Sequence, residues 1–112
     1  MLVGSFQIEG QEVTALNGGS MFKFTEAISL VVNCASQEEV DSLWSQLTAG
    51  GGAPSRCGWL KDQFGLAWQI VPRVMVQLLQ DADPAKAARV MQAMMQMTKI
   101  DIATLQRAHE GR

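Results

Sequence analysis

Residues 27–34 read Ala-Ile-Ser-Leu-Val-Val-Asn-Cys, a nearly unbroken apolar run rich in branched side chains. Strand alternation puts Ile28, Leu30, Val32 and Cys34 on one face and Ala27, Ser29, Val31 and Asn33 on the other, which predicts a central strand whose smaller face lines a space. The period then changes. Val40, Leu43, Trp44 and Leu47 fall on one helical stripe. Ser36 and Glu39 form a capping box, in which the hydroxyl accepts from the N3 amide and the carboxylate reaches back to the amide of Ser36. Gly50, Gly51 and Gly52 end the helix.

Strand character returns over residues 57–72, where two apolar runs flank Asp62-Gln63-Phe64-Gly65 and predict a β-hairpin. A four-residue turn pairs Lys61 with Leu66 and Trp59 with Trp68, bringing two indoles together on one face. Pro72 closes the second strand because it has no N–H for a ladder. Strand, helix and hairpin in this order make a βαββ unit with the helix laid across one face of the sheet.

The flanks are less regular. Phe6 and Ile8 alternate with Ser5, Gln7 and Glu9, Gly10 offers a turn, and residues 12–16 form a return strand stopped by Asn17-Gly18-Gly19. Beyond Pro72, Val74, Met75, Leu78 and Leu79 have helical spacing, and Asp83-Pro84 supplies an N-cap followed by proline at N1. The helix that follows turns Ala87, Val90, Met91, Met94 and Met97 inward, and Asp101 caps a last short helix bearing Ile102 and Leu105.

Composition narrows the function classes. With 47% apolar and 18% charged residues in 112, the chain is that of one globular domain. A net charge of −2 gives no electrostatic reason to expect nucleic acid. No window is apolar and long enough to span a membrane and the start lacks a basic n-region, so no membrane partner and a cytoplasmic location are expected. Cys34 and Cys57 fall on separate predicted strands without metal-ligand spacing and read as buried free thiols.

Four segments in order carry a resemblance: Ala15-Leu16-Asn17-Gly18-Gly19, the strand over residues 26–34, the hairpin over residues 57–72, and the Met-rich stretch over residues 94–102. Together they resemble the PhnB-like family, also labelled demethylubiquinone methyltransferase-like, within the glyoxalase/bleomycin-resistance (vicinal oxygen chelate) superfamily. The resemblance implies an α+β fold: a glyoxalase-like βαβββ-type module, with two leading strands, then strand, helix, strand, strand, and C-terminal helices. On that reading the chain is one domain over residues 1–112. Residues 1–25 are a remnant hairpin of a first module, 26–72 the βαββ of the second, and 73–112 a helical extension. Members of the family normally begin with a strand, helix and strand upstream, so this chain is either a fragment or does without half a module.

Carried over residue by residue, the superfamily's metal ligands fall on Ala27 and Gln69 and near Val13 or Thr14. These are poor donors for a site that needs about three, so no metal is expected. His109 is read as solvent-facing. The methyltransferase label fits no better, because Asn17-Gly18-Gly19-Ser20 is not the glycine-rich strand-to-helix turn of a Rossmann site; no cofactor is expected. Gln69 is polar in an apolar strand, and it can hydrogen-bond a small molecule together with Asn17, Ser29 and Asn33, or satisfy a neighbouring backbone group instead. Trp59 and Trp68 can stack an aromatic ligand or serve core or dimer packing. Candidates for catalysis are Gln69 and Cys57, the latter beside Lys61 but with no histidine near in sequence to activate it. Lys61 and Asp62 read as solvated residues bordering the turn.

The leading expectation is a small-molecule-binding module without the usual metal site, working as a homodimer whose partner covers the open sheet edge. The alternatives are an enzyme with a site shared across the dimer, and a structural or adaptor protein docking through the helix that carries Met91, Met94, Met95 and Met97.

Overall fold

A computed structural model describes residues 3–8, 10–16 and 23–112. Asn17, Gly18 and Gly19 lie outside the described residues, so the roles expected of them are left there.

Strand β1 (Val3–Ile8) pairs antiparallel with β2 (Gln11–Leu16) around Gly10, whose φ of +82° is reached at no steric cost by glycine. A second, four-stranded sheet is built from β3 (Ser29–Cys34), β4 (Ala53–Pro54), β5 (Trp59–Lys61) and β6 (Ala67–Pro72) in the order β3-β6-β5-β4. β3 runs parallel to β6, the other pairs being antiparallel. Helix α1 (Gln37–Thr48) provides the crossover that a parallel pair requires. The order strand, helix, strand, strand, strand is a whole βαβββ module, one strand more than residues 26–72 were expected to hold. That strand, β4, has only two residues, too few to show alternation.

The capping box forms in a modified way. Ser36 Oγ accepts from the amide of Glu39 at 3.2 Å, while the Glu39 carboxylate accepts from the amide of Ala35 rather than of Ser36, at 2.6 Å. Past the helix, Gly52 is fixed by space. A Cβ there would lie 2.7 Å from Thr48 Cα, 2.8 Å from Lys61 O and 2.9 Å from Leu47 O, distances that no side chain tolerates.

One face of the sheet is covered. Val40 and Trp44 of α1 pack on Cys34, Leu60 and Ile70, with Val32, Leu43, Leu47 and Trp68 around them. Burial pushes the Cys34 thiol pKa up, with a smaller contribution from the Glu39 charge.

A second apolar cluster joins Val71 to the C-terminal helices α2 (Arg73–Leu79), α3 (Pro84–Met95) and α4 (Ile102–Glu110), through Met75, Val90, Ile100 and Leu105. Asp83 and Asp101 cap α3 and α4 as expected. Met94 and Met97 pack inward, whereas Met91 is exposed, since α4 and α2 meet α3 on the stripe through Val90 and Met94. Two side chains tie these helices down. Gln37 donates to Ile100 O and accepts from the amide of Ile102, and Arg89 donates to the carbonyls of Ala108 and His109. His109 is not solvent-facing: its Nε2 lies 2.6 Å from Asp81 Oδ2.

β3 departs from expectation in the way that matters most for function. It is an edge strand, with one side paired to β6 and the other to no strand among the described residues. Its apolar run is left partly bare, with Val31 52% exposed and Ile28, just before the strand, 72%.

Candidate functional site

The register of the hairpin decides which side chains share a face. Five residues, not four, make the turn: the Asp62 amide donates to Leu66 O and the Gly65 amide to Asp62 O. Asp62 Oδ1 accepts from the amides of Phe64 and Leu66, and Oδ2 accepts from Trp68 Nε1 at 2.9 Å. Asp62 therefore organises the turn instead of merely bordering it. The extra residue shifts the pairing, so that Trp59 opposes Gln69, Leu60 opposes Trp68 and Lys61 opposes Ala67.

A shift of one residue moves a side chain to the other face. The two indoles are consequently on opposite faces. Trp68 packs into the cluster under α1 and leaves the set of ligand candidates, because the expected four-residue turn omitted the Asp62 caps. Trp59 stays on the open face, directly across from Gln69. The parallel register of β3 and β6 adds Ser29 beside Ala67, Val31 beside Gln69 and Asn33 beside Val71. Gln69 Nε2 donates to Ser29 Oγ at 2.8 Å. Its partner is thus a side chain of the candidate set and not a backbone group, which leaves the amide oxygen and the Ser29 hydroxyl hydrogen to be directed elsewhere.

Ser29, Asn33, Trp59 and Gln69 are accordingly brought to one face, opposite the side covered by α1, with the C-terminal helices packing on this face at Val71. Asn17 lies outside the described residues. Cys57 is not on a strand. It sits in the turn before β5 with a φ of +58°, its amide donating to Met97 O at 2.9 Å and that of Gly58 to Thr98 O at 2.8 Å. The turn is pinned by the chain end of α3, a long-range contact invisible to local pattern. The Cys57 thiol is free and half-buried, and no histidine approaches it, the one histidine of the chain being held by Asp81.

Beside β5 the same face hollows into a cavity of about 350 Å3, bordered by Glu26, Arg56, Cys57, Trp59 and Lys61. Lys61 Nζ lies 2.8 Å from Glu26 Oε1, and this hydrogen-bonded ammonium lowers the Glu26 carboxyl pKa from its ordinary value. Glu26 and Arg56 escape sequence reasoning because neither falls in an apolar period. Only their place in a turn and before a strand sets them at the site.

The comparisons agree with this architecture. A family model described as 3-demethylubiquinone-9 3-methyltransferase matches residues 1–71, more than half of the chain. The chain belongs to this family. A solved structure of a PhnB protein from Bacillus cereus, named for the same 3-demethylubiquinone-9 3-methyltransferase group, is 30% identical with a TM-score of 0.58. The match covers 63% of this chain and 64% of that one. No curated protein matches. The family match ends at Val71, within the last strand, so α2 to α4 and the 94–102 motif lie beyond it. The fold is the PhnB-like, glyoxalase-type one, and the matched segment contains β3, β4, β5 and all of β6 except Pro72.

Proposed function

We propose that the protein is a small-molecule-binding module of glyoxalase-type fold, working as a homodimer in which a second copy covers the β3 edge and the open sheet face holds the ligand. The observation that carries this reading is the exposure of Val31, and of Ile28 just before the strand, in and beside the strand whose Ser29 is bonded to Gln69. A polar pair suited to a ligand stands on a face bordered by apolar surface that one chain leaves in water. Such an edge invites strand pairing, and exposed apolar area of this kind marks association.

The chemistry that the family description implies finds no matching constellation among the described residues. A methyl-donor site of the nucleotide-binding type needs a glycine-rich turn at the end of a parallel strand. Among the described residues, the one parallel strand followed by a crossover helix, β3, leads through Ala35-Ser36 into α1. For a metal, no three His, Cys, Asp or Glu side chains cluster among the described residues, and Gln69 is already donating to Ser29. No step is therefore assigned to either group.

The test is sedimentation equilibrium of the parent, Val31→Lys and Ile8→Pro. A dimeric parent that becomes a folded monomer on Val31→Lys supports the edge as the interface; the same loss with Ile8→Pro assigns the covering element to β1. A parent that is monomeric at every concentration refutes the reading.

A further inference from the structure

The cavity beside β5 has a charge imbalance that points to the class of its occupant. At about 350 Å3 it is near the lower end of small-molecule sites, which run from roughly 300 to 1,000 Å3. That suits a molecule of one or two rings, not a dinucleotide. Trp59 and Ala67 give it apolar walls. Of its charged residues, Glu26 and Lys61 are paired with each other. Arg56 is left over: its guanidinium has no hydrogen-bond or ion-pair partner among the described residues.

An exposed arginine is ordinary by itself. This one is carried by a turn that is held at three points: Trp59 N donates to Arg56 O at 3.0 Å, Cys57 N to Met97 O at 2.9 Å and Gly58 N to Thr98 O at 2.8 Å. The backbone beneath the guanidinium is fixed relative to Trp59, which follows three residues later and lines the same cavity. A planar fork of N–H donors beside an indole suits a planar ring bearing a carboxylate, the ring on the aromatic wall and the oxygens on the fork.

We propose that this cavity binds a small planar organic monoanion, with its ring against Trp59 and its carboxylate on Arg56. The proposal rests on the open face being the ligand side and names the chemistry that this side selects.

The experiment compares 2-naphthoate with its neutral counterpart 2-naphthamide by equilibrium dialysis against the parent, Arg56→Gln and Trp59→Leu, with circular dichroism as the check on folding. The expected result is at least tenfold tighter binding of the naphthoate by the parent, a preference lost in Arg56→Gln, and weaker binding of both probes by Trp59→Leu. Arg56→Gln breaks no described side-chain contact, so its fold is retained and its result is interpretable. Equal affinity of the two probes for the parent, or a preference that survives Arg56→Gln, overturns the inference. If both probes bind equally and Trp59→Leu still weakens them, the open-face reading stands without its charge selectivity. If neither probe binds, both fall.

Discussion

Replacing Asp62 with alanine tests how much of the hairpin depends on a single carboxylate. Its oxygens accept from Phe64 N at 2.9 Å, Leu66 N at 3.0 Å and Trp68 Nε1 at 2.9 Å. The exposed Phe64 amide finds water when the carboxylate is gone and contributes little. The Leu66 amide and the indole N–H are partly buried, and a buried donor left unsatisfied costs about 1–3 kcal/mol. Partial exposure favours the lower half of that range for each, giving a loss of about 2–4 kcal/mol for Asp62→Ala. That is a large share of the roughly 5–15 kcal/mol typical of a domain. Asp62→Asn retains Oδ1 as an acceptor for the two amides but offers Trp68 an NH2 group, and should lose about half as much. Urea unfolding followed by tryptophan fluorescence measures both, with the m-value checked for constancy. Trp68→Phe alone removes the same indole bond, so the two changes together should cost less than their sum. An Asp62→Ala protein within about 0.5 kcal/mol of the parent, the range of an unremarkable surface change, would refute the assignment of turn register to this side chain.

Gly52→Ala forces a Cβ to within 2.9 Å of three neighbours, two of them backbone carbonyl oxygens and the third Thr48 Cα. Such overpacking costs about 1–3 kcal/mol, read as a lowered Tm, and an unchanged Tm would mean that α1 and β5 are not so closely apposed. Acid should release the C-terminal helix. The Asp81 pKa is lowered, first by the amide of Asp83 and then by the side chain of His109, so the stabilisation is full above the usual aspartate value of about 3.9 and is lost as pH falls through the lowered folded value. Hydrogen exchange of α4 amides should accelerate in that window in the parent and be less dependent on pH there in Asp81→Asn; identical profiles would remove Asp81 from the acid response.

Much of this fold is legible because local signals agree with one another. Ser36 and Glu39, Asp83 with Pro84, and Asp101 each mark a helix start that the structure contains, since capping is a matter of residues within one turn of the chain. The same holds for the stripe of Val40, Leu43, Trp44 and Leu47. What is not legible depends on counting or on distant partners. The hairpin register turns on one residue, and the five-residue turn is selected by the Asp62 carboxylate, so the split of Trp59 from Trp68 follows from a side-chain bond and not from alternation. The turn of Cys57 and Gly58 is placed by carbonyls forty residues away, at Met97 and Thr98 respectively. His109 finds Asp81 only after α4 has folded back. Of the site, Ser29, Asn33 and Gln69 were recognisable as polar positions in apolar strands, whereas the cationic end at Arg56 had no period to reveal it.

The misreading of β3 as a central strand is informative for the same reason. Residues 27–34 contain no charge and no proline, the devices by which a strand at the rim of a sheet is protected from other strands. A nearly continuous apolar run is the usual mark of a strand buried on both faces, yet among the described residues Val31 and the preceding Ile28 remain more than half exposed. The sequence of this strand therefore suits a covered environment, which the described residues do not provide. Val31 is also the residue that pairs with Gln69 in the parallel register, so whatever covers this strand also borders the face proposed to hold the ligand. If a second copy covers the strand, as proposed, assembly and binding are coupled. A partner that shields Val31 lowers the local dielectric around the Ser29–Gln69 pair, where a hydrogen bond to a ligand is stronger and an unmet one more costly.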